Sequence, residues 1–178
     1  MALFDAFLKL DGIKGESADA KHKGEIDIMS FSWGMSQTGV SATGGGGGAG
    51  KVHVHDFSIT KKTDASSPLL MLNCANGAHI KEANFVVRKA GGTQLEYLKI
   101  KLTDVLVSSY KPGSDSSLIG LLLPAVNTAD KSSNEIPLEQ VTLNFAKVEY
   151  SYQPQGADGK AQGGPILAGW DVKANQKV

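Results

Sequence analysis

The sequence holds one cysteine, carries no net charge and has no long apolar run. A single cysteine excludes an intrachain disulfide, and Cys74, set among apolar helical residues, suits a small buried side chain better than a nucleophile. Eighteen Lys and Arg balance eighteen Asp and Glu, so no sequence-independent attraction to nucleic acid or to an anionic membrane is indicated. The longest apolar stretch, Leu118 to Val126, is broken by Gly120 and Pro124, far short of the roughly 20 residues of a spanning helix. The opening MALFDAFLKL lacks a basic leading region and is interrupted by Asp5 and Lys9, so no Sec-type signal is expected and the chain is expected to fold in the cytoplasm. At 178 residues it suits a single domain, 1–178, with a sizeable core.

What is present is mostly strand. The pattern predicts one short helix within Ser67 to Asn76: Ser66 and Ser67 can cap free N–H groups, Pro68 suits the first helical position, and Asn76-Gly77 supplies a left-handed stop. Leu69, Leu70, Met71 and Leu72 make much of that helix apolar, so it is expected to lie on a sheet. Period-two alternation predicts strands over residues 2–10, Glu25 to Ser36, Lys51 to Thr60, His79 to Lys89, Leu95 to Tyr110 and Glu139 to Gln153, with a short last strand through Trp170. In the second of these, Ile26 and Ile28 share one parity while Met29, Phe31, Trp33 and Met35 share the other, which requires a bulge near Met29 or burial on both faces. Another such change runs from Val141, Leu143 and Phe145 to Val148, Tyr150 and Tyr152. In the Leu95 to Tyr110 strand, Leu98, Ile100, Leu102 and Leu106 are expected on one face. Residues 111–137 show no clear period and stay unassigned.

Few constellations look chemical. Gly45 to Lys51 has the spacing of a phosphate-binding loop, but Val52 replaces the required Ser or Thr and the following residues alternate like a strand. His53 and His55 fall on one face of a strand and could give zinc two ligands; His22, His79, Asp56 and Glu25 are further candidates by residue type alone. Lys61, Lys62, Arg88 and Lys89 flank strand ends and read as a solvated face. No catalytic, cofactor or metal site is expected.

Specific blocks carry a resemblance: LDGIKGES at Leu10 to Ser17, HKGEIDIMSFSWGMS at His22 to Ser36, DFSITKKTDASSPLLM at Asp56 to Met71, VRKAGG at Val87 to Gly92, EYLKIKLTDVLVSSY at Glu96 to Tyr110, EQVTLNFAKVEYSYQPQ at Glu139 to Gln155 and GWDVKAN at Gly169 to Asn175. Together they resemble the haemolysin-coregulated protein (Hcp) family over nearly the whole chain, with residues 111–137 longer than the family pattern. The resemblance implies a mainly β fold, a compact β-barrel of two packed sheets with one short α-helix, similar to phage tail-tube proteins. It implies a homohexameric ring that stacks into the inner tube of the bacterial type VI secretion system, is exported with the tube without a Sec signal, and carries small effectors in its lumen. Sheath, baseplate and spike proteins are the implied partners, with neither nucleic acid nor membrane insertion among them.

Two site expectations follow. The run Thr43, Gly44, Gly45, Gly46, Gly47, Gly48, Ala49, Gly50 is expected to be a flexible projection ordered by the next ring, because consecutive glycines lose the most backbone entropy on ordering. Ser30, Ser32, Gly34 and Ser36 are expected to face the lumen, since their alternating partners Phe31, Trp33 and Met35 are large and apolar and are expected to face the core. The contrasting reading is a secreted carbohydrate-binding or metal-dependent enzymatic β-sandwich, which would need a third ligand or aromatic platforms around the histidine pair.

Overall fold

A computed structural model of the chain describes residues 4–37, 51–89, 94–113, 136–156 and 159–178. Within them the elements run β1 (Phe4–Leu10), β2 (Ile26–Ile28), β3 (Ser30–Ser32), β4 (Met35–Ser36), β5 (His53–Val54), β6 (Phe57–Lys62), α1 (Ser67–Asn76), β7 (His79–Lys89), β8 (Glu96–Gly113), β9 (Leu138–Tyr152), β10 (Ile166–Asp171) and β11 (Gln176–Lys177). The fold is mainly β with one helix, as the sequence implies.

The two sheets are unequal. One antiparallel sheet runs β11-β10-β9-β8-β7-β1-β2, with β6 added to β9 and β3 to β6, while β4 and β5 form a separate small ladder. The long strand β9 organises it. One edge of β9 takes β8, and the other takes β6 along Leu138 to Leu143 and then β10 along Lys147 to Tyr152. The expected barrel is not closed by a ladder: β2 pairs β1, β3 pairs β6, and the gap between them is a break in one stretch of chain at Met29. There the Met29 N–H donates to the Thr60 carbonyl at 2.9 Å. The change of parity at Met29 is thus a change of partner strand.

The core is the inner face of this curled sheet, centred on Phe57 and Phe85 with ring centroids 5.1 Å apart. Phe31 packs on both. Along β7, β8 and β9 the buried residues switch parity at one level: the row Ala83, Leu102, Val148 is buried, and so is the row Ile80, Val105, Phe145. Each strand has two residues between these rows, so the sheet is creased across three strands. Asp104, at φ 55°, lies in that crease. Leu106 therefore does not share a face with Leu98, Ile100 and Leu102 as expected; the crease places Val105 and Val107 in the core instead.

The helix has the expected ends, with Pro68 in its first turn and Gly77 at φ 66° donating to the Asn73 carbonyl at 3.0 Å. Its burial departs from expectation. Leu70 is fully buried and Cys74 packs partly against the core, but Leu69, Met71 and Leu72 are exposed. One leucine stripe docks this helix because residues 70 and 74, one turn apart, meet the sheet together. The two serines do not cap it by their side chains either: the Ser66 hydroxyl donates to Asp64 at 2.5 Å and the Ser67 hydroxyl to Glu139 at 2.7 Å.

Candidate functional site

The expected small-residue face is part of a wider polar surface. Ser30 and Ser32 pair with Thr60 and Ser58 of β6, and these pair with Gln140 and Thr142 of β9. Thr142 in turn opposes Ser109 of β8. Because side chains alternate along each strand, Ser32, Ser58 and Thr142 share the face opposite Phe57, Ile59, Val141 and Leu143, which are core, and Phe31, which packs on it. The face is internally hydrogen-bonded: the Ser108 and Thr142 hydroxyls lie 2.9 Å apart, Ser108 donates to Asp56, and the Asn144 amide donates to Asp56 at 2.8 Å. Ser58, Ser108, Thr142 and Asn144 were not singled out from the sequence; their polar parity opposite core positions was the available signal.

The remaining residues of that stretch go elsewhere. After Ser32 the chain leaves the main sheet, so Ser36 pairs His53 in the β4-β5 ladder and the Gly34 carbonyl accepts the His55 N–H at 3.0 Å. Phe31 and Trp33 pack on the core as expected, but Met35 does not; it stands exposed on the small ladder. Residues Thr43 to Gly50, and with them the body of the phosphate-loop lookalike, lie outside the described residues, as do 114–135 of the unassigned segment. Past Lys51 the chain enters a strand at His53.

Two cations expected on a solvated face are buried. Lys61 has no exposed surface, and its ammonium contacts Asp64 at 2.8 Å, Glu139 at 2.9 Å and the Ser67 hydroxyl at 3.1 Å. Tyr110 donates to the other Glu139 oxygen at 2.8 Å. Burial alone would push the Glu139 carboxyl up, but hydrogen bonds from Lys61, Ser67 and Tyr110 prevail and hold it below the usual carboxylate range. The same surroundings push the Tyr110 phenol up to about 12, through burial first and the hydrogen bond to Glu139 second. This cluster fastens the start of α1 to β6, β8 and β9.

Arg88 is the second buried cation. It binds Asp5 at 3.1 Å, both Asp19 oxygens, and Gln94 at 3.3 Å, with its guanidinium 4.8 Å from the Phe7 ring centre. The hydrogen bond from Arg88 holds the Asp19 carboxyl down at about 2. His22 stacks on Phe7 at 4.2 Å and contacts Glu25 at 2.8 Å. These contacts pin the loop between β1 and β2 against β7. Lys62 and Lys89 are exposed, as expected.

The metal candidates are scattered. His53 and His55 do meet, with ring centroids 4.9 Å apart, but both are exposed. His22 engages Glu25, His79 engages Asp104 at 2.6 Å, and Asp56 is held by Ser108 and Asn144. Among the described residues no three His, Cys, Asp or Glu side chains gather as a metal-binding group. The arrangement offers a polar wall and two ionic clamps.

The profile of the family described as "Type VI secretion system effector, Hcp" matches residues 7–152. Protein hcp1 of Pseudomonas aeruginosa is 47% identical over 172 residues, which is 96% of each chain. Among solved structures, Hcp1 from Salmonella typhimurium matches with a TM-score of 0.75 at 37% identity over 100% of both chains. A type VI secretion system effector from Yersinia pestis matches with a TM-score of 0.68 at 33% identity, over 94% of this chain and 99% of that one. Likeness that runs almost end to end, in sequence and in backbone alike, leads to one conclusion: the chain belongs to the Hcp family, and it is a structural tube subunit of a type VI secretion system and not an enzyme.

Proposed function

We propose that this subunit assembles as homohexameric rings whose stacking makes the tube, and that the polar face of β3, β6, β9 and β8 lines the lumen. One observation carries the ring reading. The four-stranded ladder β3-β6-β9-β8 ends in two open edges, because β3 pairs only β6, and β8 beyond Leu106 pairs only β9 among the described residues. Open edges are templates for further pairing. Two unlike edges on one subunit favour a head-to-tail contact, which closes into a ring when the rotation permits. Continuing the ladder from copy to copy would turn all the hydroxyl-bearing faces the same way.

A wall of Ser30, Ser32, Ser58 and Thr142 suits a passage, since small hydroxyl groups offer hydrogen bonds without a strong apolar grip. Gly34 and Ser36, on the neighbouring small ladder, would flank it. Small effectors are the proposed passengers, with the sheath outside and the spike and baseplate at the ends as the other partners. The subunit would be made in the cytoplasm and leave with the tube. The Thr43 to Gly50 run is proposed as a ring-to-ring contact, on the strength of its glycine composition.

Size exclusion with light scattering, followed by negative-stain microscopy, tests the assembly. Six-membered rings are expected. A monomer that persists across a wide concentration range would overturn it.

A further inference from the structure

We infer that the exposed face of α1 seats in an apolar cleft on the next copy of the chain, so that each subunit contact joins a ridge to a groove beside the strand edges. The inference rests on the ring assembly proposed above and adds the surfaces that would determine it.

The groove lies next to β3. It has a volume of about 520 Å³ and is lined by Trp33, Met35, Val52, Val148, Tyr150 and Trp170, among others. It exists because the face that is core at Leu102 and Val148 continues along β9 and β10 as Tyr150, Tyr152 and Ile166, which are exposed. Among the described residues the indole N–H groups of Trp33 and Trp170 are both buried without an acceptor. Indole can only donate, and native structures rarely leave such donors unanswered. The apolar lining of the cleft is thus short of cover, and its two indoles mark packing left incomplete.

The ridge lies next to the other edge. On α1, Leu69, Leu72 and Met71 fall on one contiguous stripe with Leu72 at its centre, opposite the buried Leu70, and are 42%, 49% and 49% exposed. The helix packs on β8, whose outer edge is open beyond Leu106.

A subunit cannot fill its own groove with its own ridge. The start of α1 is tied to Glu139, and the groove begins at Val148, about 30 Å farther along β9 and beyond its crease. A second copy meets the requirement directly. If its β3 extends the ladder at β8, then Trp33 and Met35, which follow β3 in the chain, arrive beside α1. The two unpartnered apolar surfaces thus flank the two open edges that the ring would join, which is why the occupant is another copy of this chain and not an unrelated protein.

Engineered disulfides test the contact on full-length protein in a Cys74→Ser background. Leu72→Cys combined with Ala168→Cys, and separately Leu69→Cys combined with Met35→Cys, replace exposed residues, so folding should persist; circular dichroism checks it. On mild oxidation at least one pair should give a ladder of covalent multimers up to the hexamer, absent from each single-cysteine variant. A Leu72→Asp variant should keep its secondary structure while its rings fall to monomers at least tenfold more readily on dilution. Rings seen by native mass spectrometry that neither cross-link with either pair nor weaken with Leu72→Asp would overturn the ridge-and-groove contact and leave the ring standing. A parent protein that stays monomeric would overturn both.

Discussion

Replacing Lys61 by methionine isolates the energetic role of the buried ion cluster. The substitution keeps an unbranched chain of similar reach and removes the cation from between Asp64 and Glu139, at 2.8 and 2.9 Å. Glu139 is 1% exposed and would be left charged in the core with only the Ser67 and Tyr110 hydroxyls as donors. Removing one partner of a buried pair typically costs about 3–5 kcal/mol, which for a chain of this size lowers the melting temperature by roughly 6–20 °C. Lys61→Met with Glu139→Leu should recover much of the loss, because an apolar pair needs no counter-charge. The assay is thermal and urea unfolding at one fixed protomer concentration, since assembly shifts apparent stability. The pH dependence has a definite sign. The native Glu139 carboxyl lies below its ordinary value of 4.5, so its contribution is present above that pH and is lost as the pH falls through the native value. In the single variant the stranded carboxylate is the cost and burial pushes its pKa up, so the deficit should be largest near neutrality and should shrink as the pH falls and Glu139 takes up a proton. A deficit under about 1 kcal/mol that does not vary with pH would show an ordinary solvated pair and refute the reasoning.

Gly15→Ala should destabilise by about 1–3 kcal/mol in chemical denaturation, because an added Cβ would sit 2.4 Å from the Glu25 carbonyl oxygen, a backbone atom with little freedom to retreat. Arg88→Lys should lower the melting temperature, since one ammonium cannot reproduce the fork that holds Asp5 and Asp19 together. It should also weaken the acid step of native stability: Asp19 contributes above its ordinary 3.8 and loses that contribution as the pH falls toward about 2. Ser32→Arg should leave stability within about 0.5 kcal/mol and rings intact, while small-effector export drops and export of the subunit continues; unchanged effector binding with Arg at both Ser30 and Ser32 would exclude this face from cargo recognition.

Local chemistry was legible in the sequence and long-range pairing was not. The helix begins and ends where Pro68 and Gly77 indicate, and β7 spans His79–Lys89 as alternation predicts, because both depend on residues adjacent in the chain. The parity change at Met29 was visible too, though only the structure shows that it trades β1 for β6. The burial of Lys61 was hidden because its counter-charge Glu139 lies 78 residues away, and that of Arg88 because Asp5 and Asp19 lie 83 and 69 residues away. Leu106 was misplaced because nothing in its strand alone reveals a crease shared with β7 and β9. The site was half legible: Ser30 and Ser32 lie on the polar face by simple alternation, but the hydroxyls that extend it belong to strands whose register no single segment encodes.

The position of β9 has a consequence for how the chain can fold as it is made. Phe57 pairs with Leu143 and Lys62 with Leu138, so β6 must wait for a strand synthesised long after it. The 81 residues from Lys62 to Leu143 take roughly 4–16 s to translate at ordinary rates. Within that interval β1, β2, β7 and β8 can pair as they emerge, and β3 can pair with β6, but the free edge of β6 and the side chains of Phe57 and Ile59 wait for β9 to join them to the main sheet. Closing contacts of such separation is slow, and the waiting segment is apolar on one face. The nascent chain therefore passes through a window in which premature association competes with folding, and a binding factor that shields residues 57–61 on the ribosome would raise its yield without touching the finished protein.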